Sequence, residues 1–307
     1  MKFADVSLIC SYWNLVIKDF KMLSDKAFLV TSTSNERFIL KLKGDVASAQ
    51  RENELLNFVE TVQLKVQTPL KSKSGDLIIT HDNKNFTLYN FIEGEVHSAN
   101  HYLEKPDGAK QLGEAIAYLH RALKSVDFTD QFNHKNLYKT VSEFAVKEVL
   151  KVDTDIRLQS RLGTLNNEFE HNLERLPRQL IHRDAHIFNF VFQGNNLAGI
   201  IDFEIAEVNS RLFDVCYCST SLLNEIFYDI DQRENWFDFV ARLFSSYNKV
   251  NQLTADEEES ICHVMLSIQL IFMAFFSNDI SLYKRNKEML IWLDTNRERF
   301  DKIIDRS

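Results

Sequence analysis

Residues 180–204 read Leu180-Ile181-His182-Arg183-Asp184-Ala185-His186-Ile187-Phe188-Asn189-Phe190-Val191-Phe192, then Gln193-Gly194-Asn195-Asn196, then Leu197-Ala198-Gly199-Ile200-Ile201-Asp202-Phe203-Glu204. A turn at Gly194-Asn195-Asn196 separates two apolar runs of strand character. Carboxylates and an amide set into such runs are costly to bury unless each has a partner or a cation. Their spacing is informative: Asp184 to Asn189 is five positions and Asn189 to Asp202 is thirteen.

Those are the spacings of the HRDxxxxN catalytic loop and the metal-binding aspartate of kinases. The chemistry explains the residue types. Transfer of a γ-phosphoryl group needs a divalent cation to neutralise phosphate oxygens and a carboxylate to orient the attacking hydroxyl and take its proton. Asp202 and Asn189 offer hard oxygen donors suited to Mg²⁺, and Asp184 is then the base. Read singly, Asp184 is a turn residue and Asp202 a strand-end cap; the joint spacing in strand context favours the catalytic reading.

Upstream, Phe28–Thr31 and Phe38–Leu42 flank turn residues 32–35 and predict a hairpin. A helical pattern follows over 47–62, with Leu55, Leu56 and Val59 on one face. Leu77–Thr80 and Phe86–Phe91, separated by 81–85, predict a second hairpin. Beyond Glu93-Gly94-Glu95 the chain turns mainly helical: Leu112, Ile116, Leu119 and Leu123 share a face, as do Trp236, Phe239, Val240, Leu243, Phe244 and Tyr247. This gives an α+β protein with a small antiparallel-sheet lobe carrying one helix (1–88), a hinge (89–95) and a large helical lobe (96–307). A cleft between such lobes is a common ligand site. Lys41 lies in the apolar strand Phe38-Ile39-Leu40-Lys41-Leu42 and suits phosphate contact. Lys43 lies on the same face, so the choice between the two stays open. Glu52 is the favoured carboxylate partner for Lys41, with Glu54 second; both also fit a solvated helix face.

Composition excludes other classes. At 307 residues, 45% hydrophobic and 26% charged, the chain suits about two globular domains and not a disordered, collagenous or disulfide-stapled protein. It contains no GxGxxG and no GxxxxGK[ST]. A net charge of −8 argues against a nucleic-acid partner. The four cysteines form neither CxxC nor a metal-ligand cluster, and buried thiols are expected. No signal peptide is expected, and the apolar run Ile261–Phe276 is short for a membrane span, so a cytoplasmic protein without membrane insertion is expected.

The chain resembles the aminoglycoside phosphotransferase, choline kinase and type II homoserine kinase superfamily. "LIHRDAHIFNFVF" (180–192) is similar to that family's H-x-D-x4-N loop, and "GIIDFEIAEVNSRLFD" (199–214) to its metal-aspartate segment, ending in a second aspartate, Asp214. "RFILKL", "YNFIEGE" and "LGEAIAYLHRAL" are similar to its lysine strand, hinge and first helix of the large lobe. The resemblance implies a bilobal protein-kinase-like fold with ATP under the small lobe and Mg²⁺ in the cleft. By position it implies Asp184 as base, Asn189 and Asp202 as metal ligands and Lys41 at the ATP phosphates. The backbone of Tyr89, Asn90 and Phe91 would meet adenine. His182 and Asp214 would be structural support for the loop.

Asp202 and Asp214 are only twelve positions apart and no APE motif follows. That leaves no room for a protein kinase's activation segment and points to a small-molecule hydroxyl acceptor. The phosphate loop falls at 22–28, "MLSDKAF", which has no glycine. The resembling phosphotransferases use a serine-bearing loop, which assigns Ser24 and Lys26 to phosphate contact. His186-Ile187-Phe188 stands where the family often has His-Pro-Gly. Glu225, Asp229, Asp231, Glu234 and Asp238 beside Tyr228, Trp236, Phe237 and Phe239 suit a cationic amine, or equally an acidic solvated face over an amphipathic core. The acceptor class is an amino alcohol, a choline- or homoserine-like compound or an aminoglycoside. The alternatives are a catalytically silent kinase-like nucleotide-binding protein and, less favoured, a protein kinase.

Overall fold

A computed structural model describes residues 2–62 and 64–304, the last four by backbone alone. In chain order the elements are α1 (Phe3–Cys10), a 3₁₀ turn (Ser11–Trp13), β1 (Ile17–Met22), β2 (Ala27–Ser32), β3 (Arg37–Lys43), α2 (Val46–Thr61), β4 (Ile79–His81) and β5 (Lys84–Asn90). There follow α3 (Ala99–Glu104), α4 (Pro106–Lys124), then α5 (Leu137–Lys139), which runs through π-helical residues Thr140–Ala145 into α6 (Val146–Val152), and α7 (Ile156–Leu173). After β6 (Arg178–Ile181), β7 (Phe190–Gln193), β8 (Asn196–Ile200) and β9 (Glu207–Ser210) come α8 (Leu212–Ile226), α9 (Ile230–Val250), α10 (Ala255–Glu259), α11 (Ile261–Phe275), α12 (Ile280–Thr295) and α13 (Arg297–Ile304).

The chain divides into two compact units. One comprises 1–95 and 191–204, the other 96–190 and 205–307. The β7–β8 hairpin, which the sequence reading assigns to the second lobe, thus packs with the first. Residues 1, 63 and 305–307 of the expected lobes lie outside the described residues.

The first unit is an antiparallel sheet in the order β1-β2-β3-β5-β4. Both expected hairpins form. The second is tighter than expected: Asp82 and Asn83 take φ of 47° and 56°, so the turn shrinks to two residues and both strands extend into 81–85. Two successive left-handed residues match the twist of a hairpin, and Asp and Asn tolerate that conformation well. α2 starts where expected because the Asp45 side chain accepts a hydrogen bond from the Ser48 amide at 2.8 Å. One core joins α1 to the sheet through Val6, Ile9, Ile17, Phe28, Val30, Leu40, Phe86 and Leu88. The β7–β8 hairpin joins this unit through the mutual backbone hydrogen bonds of Glu95 and Phe192. Gly94 permits that approach: its φ is 150°, and a Cβ there would stand 2.5 Å from the Phe192 carbonyl oxygen.

The second unit is mainly helical. Pro106 opens α4, where its missing N–H costs nothing. Leu112, Ile116, Leu119 and Leu123 of α4 are fully buried, as are Trp236, Val240, Leu243 and Tyr247 of α9. The two helices meet at Gly113, where a Cβ would stand 2.2 Å from the Leu243 carbonyl oxygen. α11 is buried from Val264 to Leu270, as its apolar composition dictates. Among the described residues no helix is long and apolar enough to cross a membrane. Cys10, Cys216, Cys218 and Cys262 are free and buried. Burial pushes the Cys10 thiol up to about 12 and raises Cys216 and Cys218 as well.

Candidate active site

The sequence places polar residues after β6 because the strand stops there. Its backbone leaves the ladder at His182, and Asp214, fully buried in the first turn of α8, takes over. Asp214 accepts from the amides of His182 (2.8 Å) and Arg183 (2.9 Å), and its Oδ2 lies 3.1 Å from His120 Nε2. His120 Nδ1 is in turn 2.8 Å from the Tyr247 hydroxyl. Arg183 holds φ at 71°, a left-handed conformation that costs a non-glycine residue about 1 kcal/mol or more. Such strain persists only where neighbours fix it. Here Asp214 holds the amide, Glu207 Oε1 sits 3.0 Å from the guanidinium Nε, and the Phe213 ring lies 3.9 Å beneath it.

The next residue is Asp184. Its amide meets His182 Nδ1 at 3.2 Å. Asn189, 4% exposed, donates Nδ2 to the Asp184 carbonyl (2.8 Å) and carboxylate (3.3 Å). The two donor hydrogens of that amide are therefore used on Asp184, and its Oδ1 remains as an oxygen donor. Tyr217, one turn along α8 from Asp214, hydrogen-bonds to the Asp184 carboxylate; burial first, then that carboxylate, raises its phenol well above the ordinary range. His186 Nε2 lies 3.7 Å from Asp184 Oδ2. A fixed, partly exposed carboxylate in a ring of hydrogen bonds is chemically suited to take a proton from a hydroxyl.

The first unit holds the other polar set. Lys41 and Lys43 point to one face of β3, as residues two apart must. Lys41 Nζ pairs with Asp202 Oδ1 at 3.0 Å. Lys43 Nζ pairs with Glu52 Oε2 at 2.5 Å, both side chains 3% exposed or less, and lies 3.8 Å from Glu204 Oε2. This corrects the expected Lys41–Glu52 pair: Glu52 belongs to Lys43. The physical reason is that Asp202 occupies Lys41, and a buried ammonium such as that of Lys43 is costly unless a carboxylate pairs with it. Asp202, just past β8, has φ of 69°, a second strained non-glycine residue. The Tyr89 ring faces both ammonium groups, at 5.6 and 5.3 Å, and its hydroxyl meets Asn53 Oδ1 at 3.2 Å. Its own ionisation is pushed up by burial and the Glu52 charge.

The other expected nucleotide contacts lie in the same unit. Ser24 sits in the β1–β2 turn, where its hydroxyl accepts from the Ala27 and Lys26 amides at 3.1 and 3.3 Å. Lys26 Nζ, exposed, is 3.9 Å from Glu204. Asn90 donates its amide to Thr68, Tyr89 lies inside the ladder opposite Ile39, and Phe91 follows the strand's end under the Arg37 guanidinium, 4.1 Å away. Among the described residues no group of three or more His, Cys, Asp or Glu could hold a metal ion. Asn189 Oδ1 in the second unit and the Asp202 carboxylate in the first are each hard oxygen donors of the kind Mg²⁺ takes.

Of the aromatic residues suggested for an acceptor, Tyr228 is exposed and the other three prove to be core. Trp236, Phe237 and Phe239 are buried, and Trp236 Nε1 donates to the Ser219 carbonyl at 2.8 Å. Glu234 pairs with Arg299, and Asp229 caps α9. Of that acidic series, Glu225 alone lines a cavity of about 270 Å³ formed by the loop after Asp184 together with α8, α11 and α12. Tyr217, His186, Gln269, Phe272 and Asn286 line it too. Because Tyr217 touches both Asp184 and this cavity, the cavity adjoins the candidate base. Tyr217 was not singled out in the sequence, although its position one turn from Asp214 gives the signal.

A model of the phosphotransferase enzyme family (APH) matches residues 18–248. A homoserine kinase of Sinorhizobium medicae (strain WSM419) is 29% identical over 205 residues, covering 64% of this chain and 58% of that protein. The chain thus spans less than two thirds of the length of the curated relatives it first matches. Among solved structures, an amicoumacin kinase in complex with AMP-PNP and Ca²⁺ aligns at a TM-score of 0.72 and 16% identity, over 98% of this chain and 94% of that one. An aminoglycoside phosphotransferase from Alicyclobacillus acidocaldarius aligns at 0.75 and 14% identity, over 100% and 96%. The fold is that of these protein-kinase-like proteins, as expected. With the family model covering more than half of its length, the chain belongs to the phosphotransferase enzyme family.

Proposed function

We propose that the protein is a small-molecule kinase, moving the γ-phosphoryl group of ATP to the hydroxyl of an acceptor seated in the 270 Å³ cavity. The observation that carries this reading is the Asp184 loop, fixed through Asp214 and opening onto that cavity. The acceptor oxygen attacks the γ-phosphorus, its proton passes to the Asp184 carboxylate, and the bond to the β–γ bridging oxygen breaks with its electron pair leaving on ADP. Lys41 is the cation for the phosphates, with Ser24 and Lys26 at the β1–β2 turn as further contacts, and residues 89–91 at the adenine. Lys43 and Glu52 brace that lysine face. Asn189 and Asp202 are the oxygen donors for Mg²⁺, which when bound neutralises charge on the phosphate oxygens. His182 and Asp214 hold the loop. We place the lobes and hinge at 1–88, 89–95 and 96–307, with 191–204 packed on the first unit. A cytoplasmic setting, where ATP is available and thiols stay reduced, agrees with four free cysteines.

The acceptor belongs to the hydroxyl compounds carrying an amine or ammonium group, which the names of the related homoserine and amicoumacin kinases support. A coupled ADP-release assay with Mg·ATP tests the reading across ethanolamine, choline, homoserine and aminoglycosides, with Asp184→Asn as control. Turnover on one compound, lost in the variant, is the expected result. Silence across the panel with Mg·ATP still bound would favour the silent nucleotide-binding alternative.

A further inference from the structure

Asp214 is the last member of a chain of side-chain contacts that begins at Glu257. Glu257 is fully buried and holds the Arg211 guanidinium by two bonds of 2.7 Å, from Nε to Oε1 and from Nη2 to Oε2. Arg211 Nη1 donates to Asn251 Oδ1 at 2.7 Å. Asn251 Nδ2 lies 3.1 Å from the Tyr247 hydroxyl, which lies 2.8 Å from His120 Nδ1. His120 Nε2 closes the chain at Asp214 Oδ2, 3.1 Å away. Tyr247, His120 and Asp214 are fully buried, so bulk water cannot replace these bonds.

The direction of each bond follows from the first donor. A guanidinium only donates, so Asn251 turns its oxygen to Arg211 and its NH₂ to Tyr247. The Tyr247 oxygen therefore accepts from Asn251, and the Arg211 guanidinium faces it as well. Burial raises the Tyr247 phenol, so it keeps its proton, and the acceptor beside it is His120 Nδ1. The ring proton of His120 then sits on Nε2 and is donated to Asp214. Asp214 thus receives three donors: this ring and the amides of His182 and Arg183. The opposite order is chemically available. An oxygen of residue 251 turned to Tyr247 would take the phenol proton, and His120 Nδ1 would be left buried without its donor. In a polarised chain, reversing one bond weakens its neighbours.

We infer that Asn251, oriented by Arg211, is a positioning residue: it sets the proton order of the chain into Asp214 and thereby firms the loop that carries Asp184. Arg183, at a φ of 71°, is the residue that this loop must hold against its own preference, and its amide is one of the three donors to Asp214. The effect on turnover rests on the kinase reading above; the effect on the loop does not.

Two substitutions test this. Asn251→Asp keeps the size of the side chain and an oxygen for Arg211, but at about pH 8 it is ionised and can only accept, so it draws the Tyr247 proton away from His120. Tyr247→Phe removes that proton altogether. Wild type, both variants and their combination are melted and followed by hydrogen exchange at the His182 and Arg183 amides without ligand, then assayed for ADP release with Mg·ATP on the acceptor panel. Each single variant should speed exchange of the two amides and lower kcat by about 2- to 30-fold, with the KM for Mg·ATP unchanged. In the double variant both readouts should match Tyr247→Phe alone within about twofold, because no phenol proton is left to redirect. Unchanged exchange in Asn251→Asp, or effects of the two substitutions that simply multiply, would overturn the proposal. A lower Tm with loop exchange and kcat unchanged would make Asn251 merely structural and overturn it too. Wild-type silence on the panel, with the exchange pattern as expected, would overturn the kinase reading and leave the role of Asn251 in the loop standing.

Discussion

The loop that carries Asp184 and the strand face that carries Lys41 are both polar and largely buried, yet different forces hold them. Around Asp184 the groups are mostly backbone amides held by Asp214, together with the Asn189 amide and the Tyr217 phenol bonded to Asp184 itself. Such bonds are directional, and they hold even a strained residue, Arg183, in one conformation. On β3 the groups are full charges: Lys41 with Asp202, and Lys43 with Glu52 and Glu204. Ion pairs are less particular about angle, so their partners can be exchanged. The first arrangement suits a base that must point one way. The second suits cations that must accept a mobile, highly charged ligand.

That contrast can be tested from both sides. Asp184→Asn should cut kcat by about 10²- to 10⁴-fold while Mg·ATP still stabilises the protein, since the base acts on the acceptor. Wild-type turnover in that variant would sink the assignment. Asp214→Ala leaves the amides of His182 and Arg183 and the His120 ring without their buried partner, and should cost about 3–5 kcal/mol in chemical denaturation. A cost near zero would mean that the loop does not depend on it. Asp202→Ala should remove most of the roughly 2.7 kcal/mol that Mg·ATP at a hundred times Kd adds to stability. Full stabilisation in the variant would exclude Asp202 as a metal ligand. In ligand-free protein, a double-mutant cycle between Lys43→Met and Glu52→Gln should give a coupling of about 0.5–3 kcal/mol. The cycle of Lys41→Met with Glu52→Gln should give much less; the reverse order would show that Glu52 belongs to Lys41 after all. Ser24→Ala, in an exposed turn, should change stability by no more than about 0.5 kcal/mol.

Much of the fold was legible in the sequence because its periodicities are strong. The α4 and α9 faces, the sheet hairpins, the α2 start and the buried α11 follow directly from apolar spacing and turn chemistry. The second hairpin was misjudged in length because an Asp-Asn pair was counted as loop when both residues serve as left-handed turn positions. Within the candidate site, Asp184, Asn189 and Asp202 stood out by spacing. The partner of Glu52 did not, since Lys41 and Lys43 are equivalent in strand phase and only the position of Asp202 separates them. Tyr217 looked like an ordinary residue of an apolar helix. What marks it is a neighbour brought in from another element, Asp184.

The four cysteines also turn the chain into its own reporter. Cys10 lies in the sheet unit, and Cys216, Cys218 and Cys262 lie in the helical unit. Being buried, they resist alkylation until their surroundings open. Timed alkylation followed by peptide mass mapping would therefore follow the opening of each unit separately, in the unmodified sequence and without any introduced label.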